Sequence, residues 1–138
     1  MSDINWKYSV EDWSPVILLR RHVPLKQILA FFRLARACIV SPLHDGMNLV
    51  SKEFISSRID EDGVLILSKF TGAARELSEA IFVNPYDIDD FADKIKQTLE
   101  LPKAERTRRM KTLRGVVKEN NIYKWAGKVI SEIKKIRK

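Results

Sequence analysis

Four short apolar runs, separated by segments of helical periodicity, are what most constrains this chain. The runs are Val16–Leu19, Ala37–Val40, Val64–Leu67 and Ala80–Val83. They are continuous rather than alternating, the pattern of strands buried on both faces of a parallel sheet. Pro15 opens the first, Pro42, Asp45 and Gly46 break the second, and Asn84-Pro85 closes the fourth. Pro24 begins a helix with Leu25, Ile28, Leu29 and Phe32 on one face. Another helix is predicted from about Met47 to Ile59, followed by the turn Ile59–Gly63, and a short one runs through Ala73–Leu77. Beyond the fourth run, Ile88, Phe91, Ala92, Ile95 and Leu99 share a helical face, with Asp87, Asp89 and Asp90 at its positive end. Pro102 separates this helix from one at about 103–119, and a last helix spans about 121–137. The order predicts an α/β fold: a three-layer parallel sheet of about four strands with helices on both faces, half of a Rossmann-type domain. The 138 residues form one domain. It divides into a polar lead-in (1–14), an α/β core (15–102) and basic C-terminal helices (103–138).

Several function classes fall away. No apolar run approaches the roughly 18–20 residues of a membrane span. The N-terminus is polar and partly acidic, unlike a signal or transit peptide, and reads with Met1 as a genuine start. Cys38 lies in an apolar run and reads as a buried structural thiol; with no second cysteine there is no intrachain disulfide, which fits a cytoplasmic protein. Two His and one Cys, widely spaced, imply no metal site, and no cofactor is indicated. The net charge of +7 is local: residues 103–138 hold 13 Lys and Arg against 3 Asp and Glu, whereas residues 1–102 hold 12 against 15. This is a basic helical end on a mildly acidic body. Lys103–Lys118 lacks interleaved aromatics, so a solvated helical face is the reading and nucleic acid is not an expected partner. Trp6 and Trp13 are expected to pack the lead-in on the body, and Trp125 to anchor the last helix.

Parallel sheets bind ligands at the C-terminal ends of their strands. The loops after Val40, Leu67 and Val83 are therefore where function belongs. The first, Ser41–Glu53, is strand, tight turn and helix start. Gly46 would let the backbone turn sharply or approach a ligand. The amides of Met47, Asn48, Leu49 and Val50 would be the open donors of the first helical turn, an anion site suited to phosphate. Asp45 can accept hydrogen bonds from a polyol, and Glu53, about two turns on, from a ribose diol. The same residues also fit an ordinary turn capped by Asp45 or Asn48.

Asp45-Gly46-Met47-Asn48-Leu49-Val50-Ser51-Lys52-Glu53 resembles the donor-binding motif of the trehalose-6-phosphate synthases, the retaining glycosyltransferases of family 20. Gly63–Ala74, Val83–Asp87, Arg20–Val23 and Asn120–Trp125 are similar to further segments of that family, so the likeness covers about residues 12–137 in order. It implies a GT-B fold and a UDP-glucose site. Asp45 would hold a glucose hydroxyl, and the backbone of Gly46, Met47, Asn48 and Leu49, with Val50 alongside, would meet the sugar and diphosphate. Glu53 would take the ribose, the main chain of Val23 the uracil edge, and Ile28 would lie beside the base.

The likeness is partial. The chain corresponds to the latter half of the family's C-terminal, donor-binding domain. The glucose-6-phosphate-binding domain and the segment supplying an Arg and a Lys to the diphosphate have no counterpart; Arg20 and Arg21 belong to another strand, and His44 stands where some relatives carry Arg. Each lost charge-assisted contact costs about 1.5–3 kcal/mol, so two weaken binding by roughly 10²–10⁴-fold. The expectation is a partial glycosyltransferase with weak donor binding, no catalytic residue of its own, and a partner protein or homo-oligomer supplying what is missing. A non-catalytic nucleotide-sugar-binding or assembly module is the alternative, and a basic nucleic-acid binder the third.

Overall fold

The computed structural model describes residues 2–120 and 122–136. Strands β1 (Ala37–Val40), β2 (Val64–Ser68) and β3 (Ile81–Val83) form a parallel sheet in the order β1-β2-β3. Ala37 stands opposite Val64 and Val40 opposite Leu67, while Ile66 stands opposite Ile81. The helices are α1 (Ser2–Tyr8), α2 (Leu25–Leu34), α3 (Leu49–Ser57), α4 (Ile88–Glu100), α5 (Lys103–Glu119) and α6 (Ile122–Ile136), with a 3-10 turn at Gly72–Arg75. No helix among the described residues is long and apolar enough to cross a membrane.

The continuous apolar run of β2 is buried along its whole length, as a central parallel strand requires. From one face Leu65 and Leu67 join Phe54 and Ile55 of α3, Leu77, and Met110 and Leu113 of α5 in the core. Phe32 of α2 meets Phe54 edge-on at 5.7 Å. Cys38 packs against this core, half-buried, and burial pushes its thiol up to about 11.

Three expectations change. The sheet has three strands rather than about four: Val16–Leu19 pairs with no other strand, and Ile17 is 80% exposed. A strand exists through its ladder of hydrogen bonds, and none of the described residues supplies one here. For the same reason β1 is an edge strand, not one buried on both faces, and its Ile39 is 46% exposed. The lead-in contains α1 and a bridge between Val10 and Trp13; Asn5 clasps Val16, donating from Nδ2 to its carbonyl at 2.8 Å and accepting its amide at 3.0 Å. Trp6 and Trp13 do not pack on the body, Trp6 being 89% exposed.

The basic C-terminal region is tied to the acidic body. Arg106 of α5 is buried and forks onto Asp62 at 2.6 and 2.9 Å while donating to the Leu101 carbonyl. Arg108 and Arg109 share Glu79 and Glu105, and Arg114 donates to the Ile55 and Ser56 carbonyls. All four arginines of α5 are thus engaged within the chain.

Arg58, 4% exposed, is the second buried cation. Its guanidinium donates to the carbonyls of Phe32, Arg33 and Ala35 at the end of α2, at 2.7, 2.7 and 2.8 Å. It also bonds the Asp62 carbonyl and the Asp60 carboxylate. Removing it leaves part-buried carbonyls at the end of α2 without these donors. Arg58→Ala should lower unfolding stability by about 3–5 kcal/mol; a urea titration showing a loss below about 0.5 kcal/mol would contradict this.

Asp62 supplies a pH test. Chiefly the Arg106 hydrogen bond, against the opposing effect of burial and with help from the Gly63 amide, lowers its carboxyl from 3.8 to about 2. A carboxylate depressed in the folded state stabilises above its unfolded value, and that stabilisation is lost as pH falls through about 2. Asp62→Asn should therefore flatten the decline in stability between about pH 4 and 2, read from thermal melts. An unchanged acid limb would refute the assignment.

Candidate functional site

The loop from β1 to α3 is fixed by its own polar side chains and by the loop that follows β2. Asn48 caps α3 in the left-handed region at φ 54, a conformation Asn tolerates better than most residues. Its Oδ1 accepts the Ser51 amide at 2.9 Å, and its Nδ2 donates to Asp45 Oδ2 at 2.6 Å. The Ser51 hydroxyl donates to the Asn48 carbonyl. The Asp45 carbonyl accepts the Gly72 amide at 3.1 Å, and Asp45 forms a parallel bridge with Thr71. The Thr71 side chain accepts the Ala74 amide and so caps the 3-10 turn.

Gly72 makes this contact possible. A Cβ built there would collide with the Gly46 carbonyl oxygen. Gly46 differs from expectation: its φ is not positive, so the turn does not demand glycine, and a Cβ there would meet open space. The left-handed residue of the turn is Asn48.

The helix also begins later than expected, at Leu49. The amides of Met47 and Asn48 therefore precede the first turn, and the Ser51 amide is taken by the cap. Leu49 and Val50 keep amides with no acceptor inside the helix. Two donors and a helix dipole remain, a smaller anion site than the sequence implied. Ser51, Phe54 and Ile55 form the buried face of α3. Leu49, Val50 and Glu53 lie on its exposed side, and Glu53 is one turn in rather than two. Oδ1 of Asp45 and the carboxylate of Glu53 have no partner among the described residues. Val23 and Ile28 are half-buried, Ile28 on α2, which packs against α3.

Beside the loop opens a cleft of about 740 Å³. Its lining includes Gly46, Met47, Leu49, Gly72, Arg75 and, from α6, Trp125. Lys52 and Glu76, also in its lining, pair at 3.1 Å. Trp125 is 51% exposed, so it lines the cleft instead of anchoring its helix in a core. Sequence reasoning placed function in the loop after Leu67 yet singled out neither Thr71 nor Gly72 nor Arg75. The adjacency of successive βα loops in a parallel sheet was the available signal. In the third loop, Phe70 and Tyr86 meet edge-on at 5.8 Å. No cluster of three or more His, Cys, Asp or Glu fit for a metal occurs among the described residues.

A parallel α/β sheet with a glycine-containing loop and a capped helix start at the end of its edge strand defines part of a Rossmann-type ligand-binding domain. The family model for glycosyltransferase family 20 matches residues 1–135, and the chain belongs to that family. It is 41% identical over 133 residues to the trehalose-6-phosphate synthase of Enterobacter sp. (strain 638), covering 96% of this chain and 28% of that relative. It superposes with a TM-score of 0.91 and 40% identity on a trehalose-6-phosphate structure from E. coli bound with UDP-2-fluoro glucose, covering 96% of this chain and 30% of that one. An α,α-trehalose-phosphate synthase (UDP-forming) from Burkholderia xenovorans in complex with glucose-6-phosphate gives a TM-score of 0.91 at 38% identity, again over 96% of this chain and 30% of the other. The fold is thus that of part of a GT-B glycosyltransferase, and the chain spans less than a third of these relatives.

The loop contact gives a direct test. Gly72→Ala should destabilise by about 1–3 kcal/mol and shift the backbone resonances of Asp45–Asn48, across the contact. Unmoved Asp45–Asn48 resonances would mean the two loops are not coupled.

Proposed function

We propose that this chain is the donor-binding part of a trehalose-6-phosphate-synthase-like glycosyltransferase. It binds UDP-glucose, and transfer to glucose-6-phosphate requires a further domain. The observation that carries the reading is the open Asp45 Oδ1 held beside the free Leu49 and Val50 amides, with Glu53 one turn along the same helix face. In this reading Asp45 accepts from a glucose hydroxyl. Gly46, Met47 and Asn48 present backbone to the sugar, and the two amides at the positive end of α3 meet the diphosphate. Glu53 accepts from the ribose diol. The main chain of Val23 faces the uracil edge, and Ile28 lies beside the base.

The chemistry fits a neutral, hydroxyl-rich ligand carrying an anionic bridge. A carboxylate can accept two hydroxyl donors, and a helix start favours the phosphate charge. With only two amides and no dedicated cation pair, affinity is low. No transfer follows from the isolated chain, because retaining transfer needs donor and acceptor fixed together in a closed site. The compartment expected is the cytoplasm.

A titration with UDP-glucose followed by backbone NMR tests this. Shifts should centre on Gly46–Glu53 with a Kd of about 1 mM. Glu53→Ala and Asp45→Ala should each weaken binding by roughly 10–100-fold, the worth of a hydrogen bond to a charged group. Absence of shifts at millimolar ligand would overturn the proposal and favour a module that serves assembly only.

A further inference from the structure

The cleft beside the loop is lined by charge as well as by apolar surface. Lys52 of α3 and Glu76, which follows the 3-10 turn, share that lining with Leu49 and pair at 3.1 Å. Both side chains keep contact with solvent, 21% and 43% exposed respectively. An ion pair in such a setting holds weakly. It sets where the Lys52 ammonium rests in the free chain, and a stronger anion in the same cleft can displace it.

Helix geometry aims Lys52 at the open end of α3. Lys52 follows Leu49 by three residues, so the two share a face. Helical side chains lean toward the N-terminus, which lays Lys52 over the turn that begins at Leu49. That turn carries the Leu49 and Val50 amides, which have no acceptor inside the helix. Glu53 follows Val50 by three residues and leans over the same turn. The first turn of α3 is thus flanked by a lysine and by an acid. Lysine is a point charge on a flexible stem, with three donors and no acceptor. Rotation within the side chain, with the backbone still, turns it from one anion to another.

We infer that Lys52 is the cation of the donor site, resting on Glu76 in the free chain and turning to the diphosphate when a nucleotide sugar enters. The inference rests on the reading of this loop as a nucleotide-sugar site. A diphosphate carries more negative charge than one carboxylate and attracts the ammonium more strongly. Glu76 competes with the ligand for that ammonium and so keeps affinity low in the unaltered chain. Lys52 and Glu53 then divide the ligand between them, the lysine on the phosphates and the acid on the ribose.

Backbone and lysine side-chain NMR on the full 138-residue chain tests this, with UDP and inorganic pyrophosphate as probes. Lys52→Gln should weaken UDP binding by roughly 10-fold, the worth of one charge-assisted hydrogen bond. Lys52→Arg keeps the charge and should retain most of the affinity. Glu76→Gln should tighten UDP binding by roughly 3-fold or more, and this gain should vanish when Lys52 is also Gln. Pyrophosphate should shift the Lys52 ammonium resonance together with the Leu49 and Val50 amides. The inference is overturned if Lys52→Gln leaves UDP affinity unchanged, or if Lys52→Arg binds no better than Lys52→Gln. It is equally overturned if Glu76→Gln tightens UDP as much without Lys52 as with it, the mark of a diffuse field. Titration with UDP-glucose separates the two readings. Lys52-dependent pyrophosphate binding without UDP-glucose shifts at Asp45 and Glu53 sinks the donor-site reading and keeps the cation. UDP-glucose binding that Lys52→Gln leaves untouched does the reverse.

Discussion

Everything the candidate site can do depends on a side chain that is missing. Because Gly72 has no Cβ, the loop after β2 can lie against the Gly46 carbonyl and donate its amide to Asp45. That contact holds the Asp45 backbone, and the Asp45 carboxylate in turn holds Asn48. Asn48 then caps α3 and sets which amides stay open. The chain of dependence runs from one glycine through one carboxylate to one helix start, and it leaves one carboxylate oxygen of Asp45 without a partner among the described residues. Such prior fixing matters for the binding proposed above, because ordering a loop upon binding draws on the interaction energy.

A second constraint is electrostatic and concerns the fold. The positive charge concentrated beyond residue 102 resembles a binding surface in sequence. In the structure the four arginines of α5 make part of it an internal fastening. Arg106 reaches Asp62, Arg108 and Arg109 reach Glu79, and Arg114 reaches carbonyls of α3. Each bond crosses from α5 to the body. Arg58 does the same for the end of α2. Arg58, Arg106 and Arg114 also donate to carbonyls at the C-terminal ends of α2, α4 and α3.

How much of this was legible in sequence varies with the physics involved. The β2 run and the α5 boundaries could be read because burial on both faces and proline punctuation act locally. Val16–Leu19 has the same local signature as β2, yet it forms no ladder here, because strand pairing is decided by neighbours and not by composition. Trp6 and Trp13 read as packing residues of the lead-in, and Trp125 as an anchor among apolar neighbours on its helix, but a large apolar side chain packs only where a facing surface exists. At the candidate site, the Asp45–Glu53 segment was readable as a turn leading from a strand into a helix start. Its true helix start was not, since Asn48 in the left-handed region shifts the cap by geometry that no spacing rule contains. The Gly72 contact joins residues distant in sequence and had no local mark at all.

The central claim is that the loop recognises sugar and ribose together. Saturation-transfer NMR on UDP-glucose with the unaltered chain tests it most directly. The account predicts saturation reaching both the glucose and the ribose protons, weakened at glucose in Asp45→Ala and at ribose in Glu53→Ala. Saturation confined to the uracil protons, or none at all, would contradict it.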